Sequence, residues 1–220
     1  EVRNCAGQMF SALRHVHVVC NLVHGDIKPQ NFLLFKVHNR LSVQLCDFGL
    51  AEYPDRPGGL VGFHGIRGTS GWFSPEMLAQ RDYGQAVDLF ASGLILFRML
   101  GGYPPFDPPS RFKEPAEFDE RYWCHVSLPC RQLIAQLLSF DPVERRTASD
   151  VCEHEWLTQP APAEPAAEQL AMLRRFGPPP DCETLFWPAI TVPHPDRSQS
   201  FANLCDLAMD SEDDDMDVEP

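Results

Sequence analysis

His24-Gly25-Asp26-Ile27-Lys28-Pro29-Gln30-Asn31 decides how this 220-residue chain is read. A carboxylate, an amine and a carboxamide share one tight polar loop. Upstream of it, Val2, Cys5, Ala6, Met9, Ala12, Leu13 and Val16 recur at helical spacing. Residues 2–17 are therefore expected to form an amphipathic helix whose stripe faces a core. Downstream, residues 32–35 are apolar, and Leu41, Val43 and Leu45 alternate with polar residues. That pattern predicts two short strands joined at His38 and Asn39. Asp47-Phe48-Gly49 follows at the end of the second strand. Asn and Asp oxygens on neighbouring strand ends suit Mg2+, a hard ion that keeps water and substrate phosphate as its other ligands. A separate Asp can take the proton of an attacking hydroxyl, and a nearby Lys can steady developing phosphate charge. Taken singly, each of these residues fits a polar turn that caps a helix and a hairpin equally well.

The loop at residues 52–71 is rich in glycine, holds Pro54 and Pro57, and is long for a packed domain, which favours a functional loop. Residues 86–100 are apolar on nearly all sides and predict a buried helix, ended by Gly101, Gly102, Pro104 and Pro105. A helix is expected over residues 129–139, with Ser127 as its cap and Pro129 in its first turn. Another is expected over residues 147–157, opened by a capping box of Thr147 and Asp150. Near Gln159 the composition shifts, with nine prolines from Pro160 to Pro195. The chain is therefore divided into a folded region (1–157), a Pro-rich linker (158–205) with a short helix at 166–176, and a disordered tail (206–220). Ser200, three residues after Arg197, and Ser211, ahead of Glu212, Asp213 and Asp214, have the local pattern of phosphoacceptors.

Charge narrows the function. The chain has 18 Lys+Arg against 31 Asp+Glu, a formal net charge of −13. Eight of its acids and no Lys or Arg lie in residues 206–220. Such a chain is ill suited to a nucleic-acid backbone or an anionic membrane surface. The apolar stretch at residues 89–100 is interrupted by Ser92, Gly93 and Arg98 and is too short to span a bilayer. The eight cysteines include no C-x-x-C pair and no zinc spacing, so free thiols in a reducing, intracellular compartment are expected. No calcium-binding loop of the D-x-D-x-D-G type is present.

Six motifs, in order, resemble those of the eukaryotic protein kinases. The family's catalytic loop, H-R-D-x-K-P-x-N, matches residues 24–31 except at Gly25. D-F-G appears as Asp47-Phe48-Gly49, and A-P-E as Ser74-Pro75-Glu76 preceded by Gly68-Thr69. D-x-W-x-x-G appears as Asp88-Leu89-Phe90-Ala91-Ser92-Gly93. Tyr103-Pro104-Pro105-Phe106 and the Asp141-Pro142, Arg145, Thr147 set complete the order. The resemblance covers residues 1–157. It implies a mainly α fold, the C-terminal lobe of a kinase with a short β-hairpin at the cleft.

By that resemblance Asp26 is the base that accepts the substrate hydroxyl's proton, and Lys28 faces the phosphates. Asn31 and Asp47 are the implied Mg2+ ligands that bridge the ATP phosphates, and Leu33 is the floor beneath adenine. Lys28, Gln30, Asn31, Leu33 and Asp47 make up the implied ATP-binding side of the cleft. Phe48 and His24 are expected to pack together. Glu76 and Arg145 are expected as a buried ion pair, and Asp88 as an acceptor for the catalytic-loop backbone. Lys28 with Thr69 is the serine/threonine pattern, so the implied partners are proteins bearing Ser or Thr. Residues 31–34 and 102–106 look like the calcium/calmodulin-type kinases, whereas residues 68–72 look like other groups.

Three departures from the family carry information. Gly25 replaces the Arg that receives an activation-segment phosphate, which removes the electrostatic anchor for that switch. Gln30 and Arg98 stand where members that prefer basic substrates carry Glu, so little preference for Arg ahead of the phosphoacceptor is expected. The family's Gly-rich phosphate loop, strand Lys and helix Glu lie upstream of the helix that opens this chain. The chain is accordingly expected to be the C-terminal part of an active kinase. The alternative is a pseudokinase or truncated isoform that binds proteins without phosphotransfer.

Overall fold

Helix α1, Val2–Arg14, buries Cys5, Ala6, Met9, Phe10 and Leu13, the stripe that its spacing demands. It widens into a π-helical turn, His15–Val19, which buries Val16 and His17. The helical path therefore runs past residue 17, carrying Val18 and Val19 out to solvent. These coordinates, a computed structural model, describe residues 2–37, 40–56, 59–62, 65–106, 114–159 and 199–200. The helix expected at 166–176, the acidic tail, the prolines of the linker and the hairpin turn at 38–39 lie outside the described residues.

The centre of the fold is the longest helix, Ala86–Gly101, with every residue from Val87 to Phe97 buried. A helix apolar on all sides must be enclosed, and other elements pack round it. Gly101 is its last residue. Gly102 caps it at φ 76°, and the Gly102 N–H donates to the Arg98 carbonyl. An aromatic cluster closes the far end: Phe97 lies 4.6 Å from Trp123 and 5.2 Å from Tyr103 between ring centres. The Trp123 Nε1–H donates to the Tyr103 hydroxyl at 2.9 Å, which satisfies the one polar group that the buried indole carries.

Five other helices complete the helical set of the described residues: Pro75–Leu78, Glu120–Trp123, Leu128–Leu137, Ala148–Cys152 and Glu155–Thr158. In chain order the seven are α1 to α7, with Pro75–Leu78 as α2 and Ala86–Gly101 as α3. Helix α5, Leu128–Leu137, has Pro129 in its first turn, but Ser127 caps it by position only, without a side-chain bond. The single helix expected at 147–157 is two. Thr147 and Asp150 form a complete capping box on α6, Ala148–Cys152. A second cap, His154 Nδ1 accepting from the Trp156 N–H at 3.2 Å, then starts α7 and turns Trp156 into the core.

Strands β1, Phe32–Val37, and β2, Arg40–Leu45, pair antiparallel from Phe32 opposite Leu45 to Val37 opposite Arg40. Helix α1 grips β2 through Gln8. Its Nε2 donates to the Leu41 carbonyl and its Oε1 accepts from the Val43 N–H, each at 2.9 Å. The 52–71 loop is not wholly irregular: β3, Leu60–Val61, pairs with β4, Tyr83–Gly84. The other edge of β1 takes β5, Gln199–Ser200, with Leu33 opposite Ser200, a pairing that the linker composition did not foretell. Among the described residues no helix is long and apolar enough to cross a membrane. Cys5, Cys20, Cys46, Cys124, Cys130 and Cys152 are free thiols, and burial pushes Cys130 up to about 12.

Candidate active site

Asp88, in the first turn of α3 and 1% exposed, anchors the loop at residues 24–31 from below. Its carboxylate accepts the His24 N–H at 2.8 Å, the Gly25 N–H at 2.9 Å and a bond from His17 Nε2 at 2.8 Å. The first two were expected. The third was missed, although His17 stands four residues after Leu13, where the buried stripe of α1 runs on into the π-helical turn and a polar group must find a partner. Above Asp88, His24 Nδ1 accepts from the Asp26 N–H at 3.3 Å, and its Nε2 faces the Cys46 carbonyl at 3.2 Å. Those partners assign the proton to Nε2. The His24 and Phe48 rings pack with centres 4.9 Å apart, tilted by 59°.

Asp26 is 9% exposed and sits inside a triangle of side chains. Thr69 Oγ1 donates to its Oδ1 at 2.8 Å. Lys28 Nζ lies 2.9 Å from its Oδ2 and donates to Thr69 Oγ1 at 2.6 Å. Asn31 Nδ2 donates to the Asp26 carbonyl at 2.7 Å and reaches Oδ2 at 3.3 Å. Burial pushes the Asp26 carboxyl up. The Lys28 and Thr69 hydrogen bonds, the Lys28 charge and the Asn31 bond outweigh burial and hold it below the ordinary aspartate value. Asp26 is therefore a carboxylate at neutral pH.

The strand register brings Asn31 and Asp47 to adjacent strand ends. Phe32 pairs with Leu45, and one step beyond the ladder the Cys46 N–H donates to the Asn31 carbonyl at 2.9 Å. Because the Asn31 amide nitrogen is turned to Asp26, its oxygen points away from that carboxylate. Asp47 is exposed, adopts φ 61°, and bonds the Gly49 N–H at 3.3 Å. Among the described residues no three His, Cys, Asp or Glu side chains cluster as a self-sufficient metal site. One carboxylate and one carboxamide oxygen are a donor set that fits Mg2+ carrying substrate phosphate. Leu33 is half-buried on β1 opposite Gln44, and Gln30 is half-buried in the 3-10 turn Pro29–Asn31.

The segment that covers the loop is fixed to the helical body. Glu76 and Arg145 form a buried two-point ion pair at 2.5 and 2.6 Å, and Arg145 Nε also donates to the Ser139 carbonyl at 2.7 Å. Arg98 lies over the Trp72 ring at 4.8 Å, and the Trp72 N–H donates to the Thr69 carbonyl at 3.3 Å.

Known proteins are similar to this chain over the same region. The protein kinase domain family matches residues 1–157, the stretch that holds every group described above. The chain is 36% identical over 159 residues to serine/threonine-protein kinase DCLK3 of Mus musculus, covering 68% of this chain and 19% of that protein. It is 34% identical over 168 residues to the delta subunit of calcium/calmodulin-dependent protein kinase type II of Oryctolagus cuniculus, covering 73% of this chain and 31% of that protein. The chain thus spans less than a third of the length of either relative. With its catalytic loop, its Asp47 strand end and its Glu76–Arg145 brace all inside the matched region, the chain belongs to the protein kinase domain family and resembles the serine/threonine kinases of calcium/calmodulin type.

Proposed function

We propose that these residues are the catalytic and substrate-facing part of a protein serine/threonine kinase, which moves the γ-phosphoryl group of ATP to a Ser or Thr hydroxyl of a protein. The observation that carries this is the Asp26, Lys28 and Thr69 triangle, with an ionised carboxylate beside a lysine in a half-enclosed loop. Asp26 orients the incoming hydroxyl and takes its proton as the oxygen attacks. Thr69 holds the carboxylate from the covering segment, so the proton acceptor keeps its aim. Lys28 lies between the two and steadies negative charge on the transferred group. Asn31 and Asp47 would hold Mg2+, and Leu33 would lie under the adenine. When bound, Mg2+ draws charge from the ATP phosphates and orients the γ-phosphoryl group.

Gly25 leaves the loop without the guanidinium that an activation-segment phosphate would need, so phosphorylation there is not required for activity. The substrates are proteins met in a reducing, intracellular compartment, in keeping with the free thiols of the six cysteines among the described residues. The form to assay is the longest open reading frame that contains these residues, with labelled ATP, Mg2+ and a Ser/Thr peptide library. Phosphate incorporation is expected, and Asp26→Asn should lower it by about 10^2–10^4-fold. A folded protein that transfers no phosphate, or an Asp26→Asn variant as active as its parent, overturns the proposal in favour of a protein-binding module.

A further inference from the structure

The covering segment comes close to the backbone of the 24–31 loop at Gly68. A Cβ added to Gly68 would lie 3.1 Å from the Gly25 carbonyl oxygen, 3.3 Å from Phe73 Cε1 and 3.4 Å from Asp26 Oδ1. Gly68 also adopts φ +112°, which residues with a side chain rarely do. Across the contact Gly25 is at φ +78°, and a Cβ there would lie 3.2 Å from the Leu50 carbonyl oxygen. The next residue after Gly68 is Thr69, whose hydroxyl is shared between Asp26 Oδ1 and Lys28 Nζ.

We infer that Gly68 is a positioning residue: its bare Cα lets the segment settle on the Gly25 carbonyl and so delivers the Thr69 hydroxyl to Asp26. The consequence for catalysis rests on the kinase proposal, whereas the consequence for the loop does not. Any side chain at position 68 presses on the Gly25 carbonyl oxygen and comes into contact with Asp26. These neighbours are held from behind by Asp88 and His24, so the segment and not the loop gives way. Thr69 then withdraws from the carboxylate. A misplacement of about 1 Å at a reacting group costs up to about 100-fold in rate.

A neighbouring glycine supplies the control. Gly65 has φ +98°, and a Cβ there meets nothing within 4 Å. Gly65→Ala therefore carries the backbone strain of Gly68→Ala without its contacts. Two readouts apply to Gly68→Ala, Gly65→Ala, Thr69→Val and the Gly68→Ala/Thr69→Val pair. The first is hydrogen exchange of the peptide spanning residues 22–33 in the 220-residue chain. The second is steady-state phosphotransfer by the protein from the complete reading frame. Gly68→Ala should speed exchange of the loop as Thr69→Val does, and lower kcat by about 10–100-fold with KM for ATP within about twofold. The pair should be no worse than either single variant, because both act through one hydroxyl. Gly65→Ala should leave both readouts within about twofold of the parent. Equal effects at positions 65 and 68, additive effects in the pair, or unfolding of Gly68→Ala alone would each overturn the inference and leave Gly68 as a structural glycine only. If the parent transfers no phosphate, the kinase proposal falls, and the exchange comparison still decides the role of Gly68.

Discussion

Asp88 and Asp47 lie on opposite sides of the same loop and are treated in opposite ways. Asp88 is 1% exposed, and its two oxygens accept from two backbone N–H groups and a histidine. Asp47 is exposed, and its one described bond, from Gly49, stays within its own turn. Asp26 stands between them, enclosed by Lys28, Thr69 and Asn31 yet within reach of the cleft. Asp88 spends both its oxygens on groups of the protein, whereas Asp47, proposed as a ligand for Mg2+, has only a bond within its own turn among the described residues. The partners differ in kind: Asp88 holds backbone N–H groups of the loop, and Asp26 is held by side chains.

The most forceful way to break the supporting side is Arg145→Met. It strands Glu76, 6% exposed, with neither of its two bonds from the guanidinium. The expected loss is about 3–5 kcal/mol by chemical denaturation, enough to unfold much of a marginal domain. A loss below about 1 kcal/mol would show that the pair is not the brace of the segment.

Asp88→Ala should come next. It leaves the His24 and Gly25 N–H groups and His17 without their acceptor in a closed site, and each stranded polar group costs about 1–3 kcal/mol. Because the damage sits under the loop, hydrogen exchange should rise first at residues 24–26, ahead of global unfolding. Uniform acceleration across α3 and α5 would place Asp88 in the general core instead.

The two sides also differ in how far the sequence reveals them. Motif order pointed to Asp26, Asn31, Asp47, Asp88, Glu76 and Arg145, and an apolar run at residues 32–35 with a period-2 alternation at residues 41–45 located the two strands of the hairpin. These signals are local, since a strand face or a tight loop is written in consecutive residues. What the sequence hid is made by packing across long separations. His17 reaches Asp88 over seventy-one positions, and Gln8 clamps β2 from thirty-five positions away. The break between α6 and α7 was missed because His154 serves as a cap through its ring nitrogen, outside the usual set of Ser, Thr, Asp and Asn. The two-residue strand β3 escaped notice because its partner, Tyr83–Gly84, lies beyond α2.

Far from the cleft, the capping box on α6 gives a milder and pH-dependent test of a carboxylate spent on support. Thr147→Ala should cost about 1 kcal/mol. The Thr147 hydroxyl and backbone bonds hold Asp150 below the ordinary aspartate value. A carboxyl lowered in the folded state stabilises it above the unfolded value, and that contribution fades as pH falls through the lowered folded value. Urea midpoints of parent and Thr147→Ala should therefore differ most near neutral pH and converge below the ordinary aspartate range. A gap that widens on acidification would assign the effect to something other than the box.

Asp47→Asn should have the smallest effect on stability and so sharpen the comparison most. The residue is exposed and already sits at φ 61°, a conformation in which Asn is as much at home as Asp. Thermal and urea midpoints should stay within about 0.5 kcal/mol of the parent, as for other surface changes. Yet the substitution removes the one charged oxygen donor proposed for Mg2+, so phosphotransfer should collapse and not recover when Mg2+ is raised to saturation of the parent. Lost stability with retained transfer would invert the comparison, making Asp47 a supporting carboxylate like Asp88. Retained stability with lost transfer is what an oxygen reserved for a ligand must give, because its one bond among the described residues, from the Gly49 N–H, can be kept by the Asn oxygen.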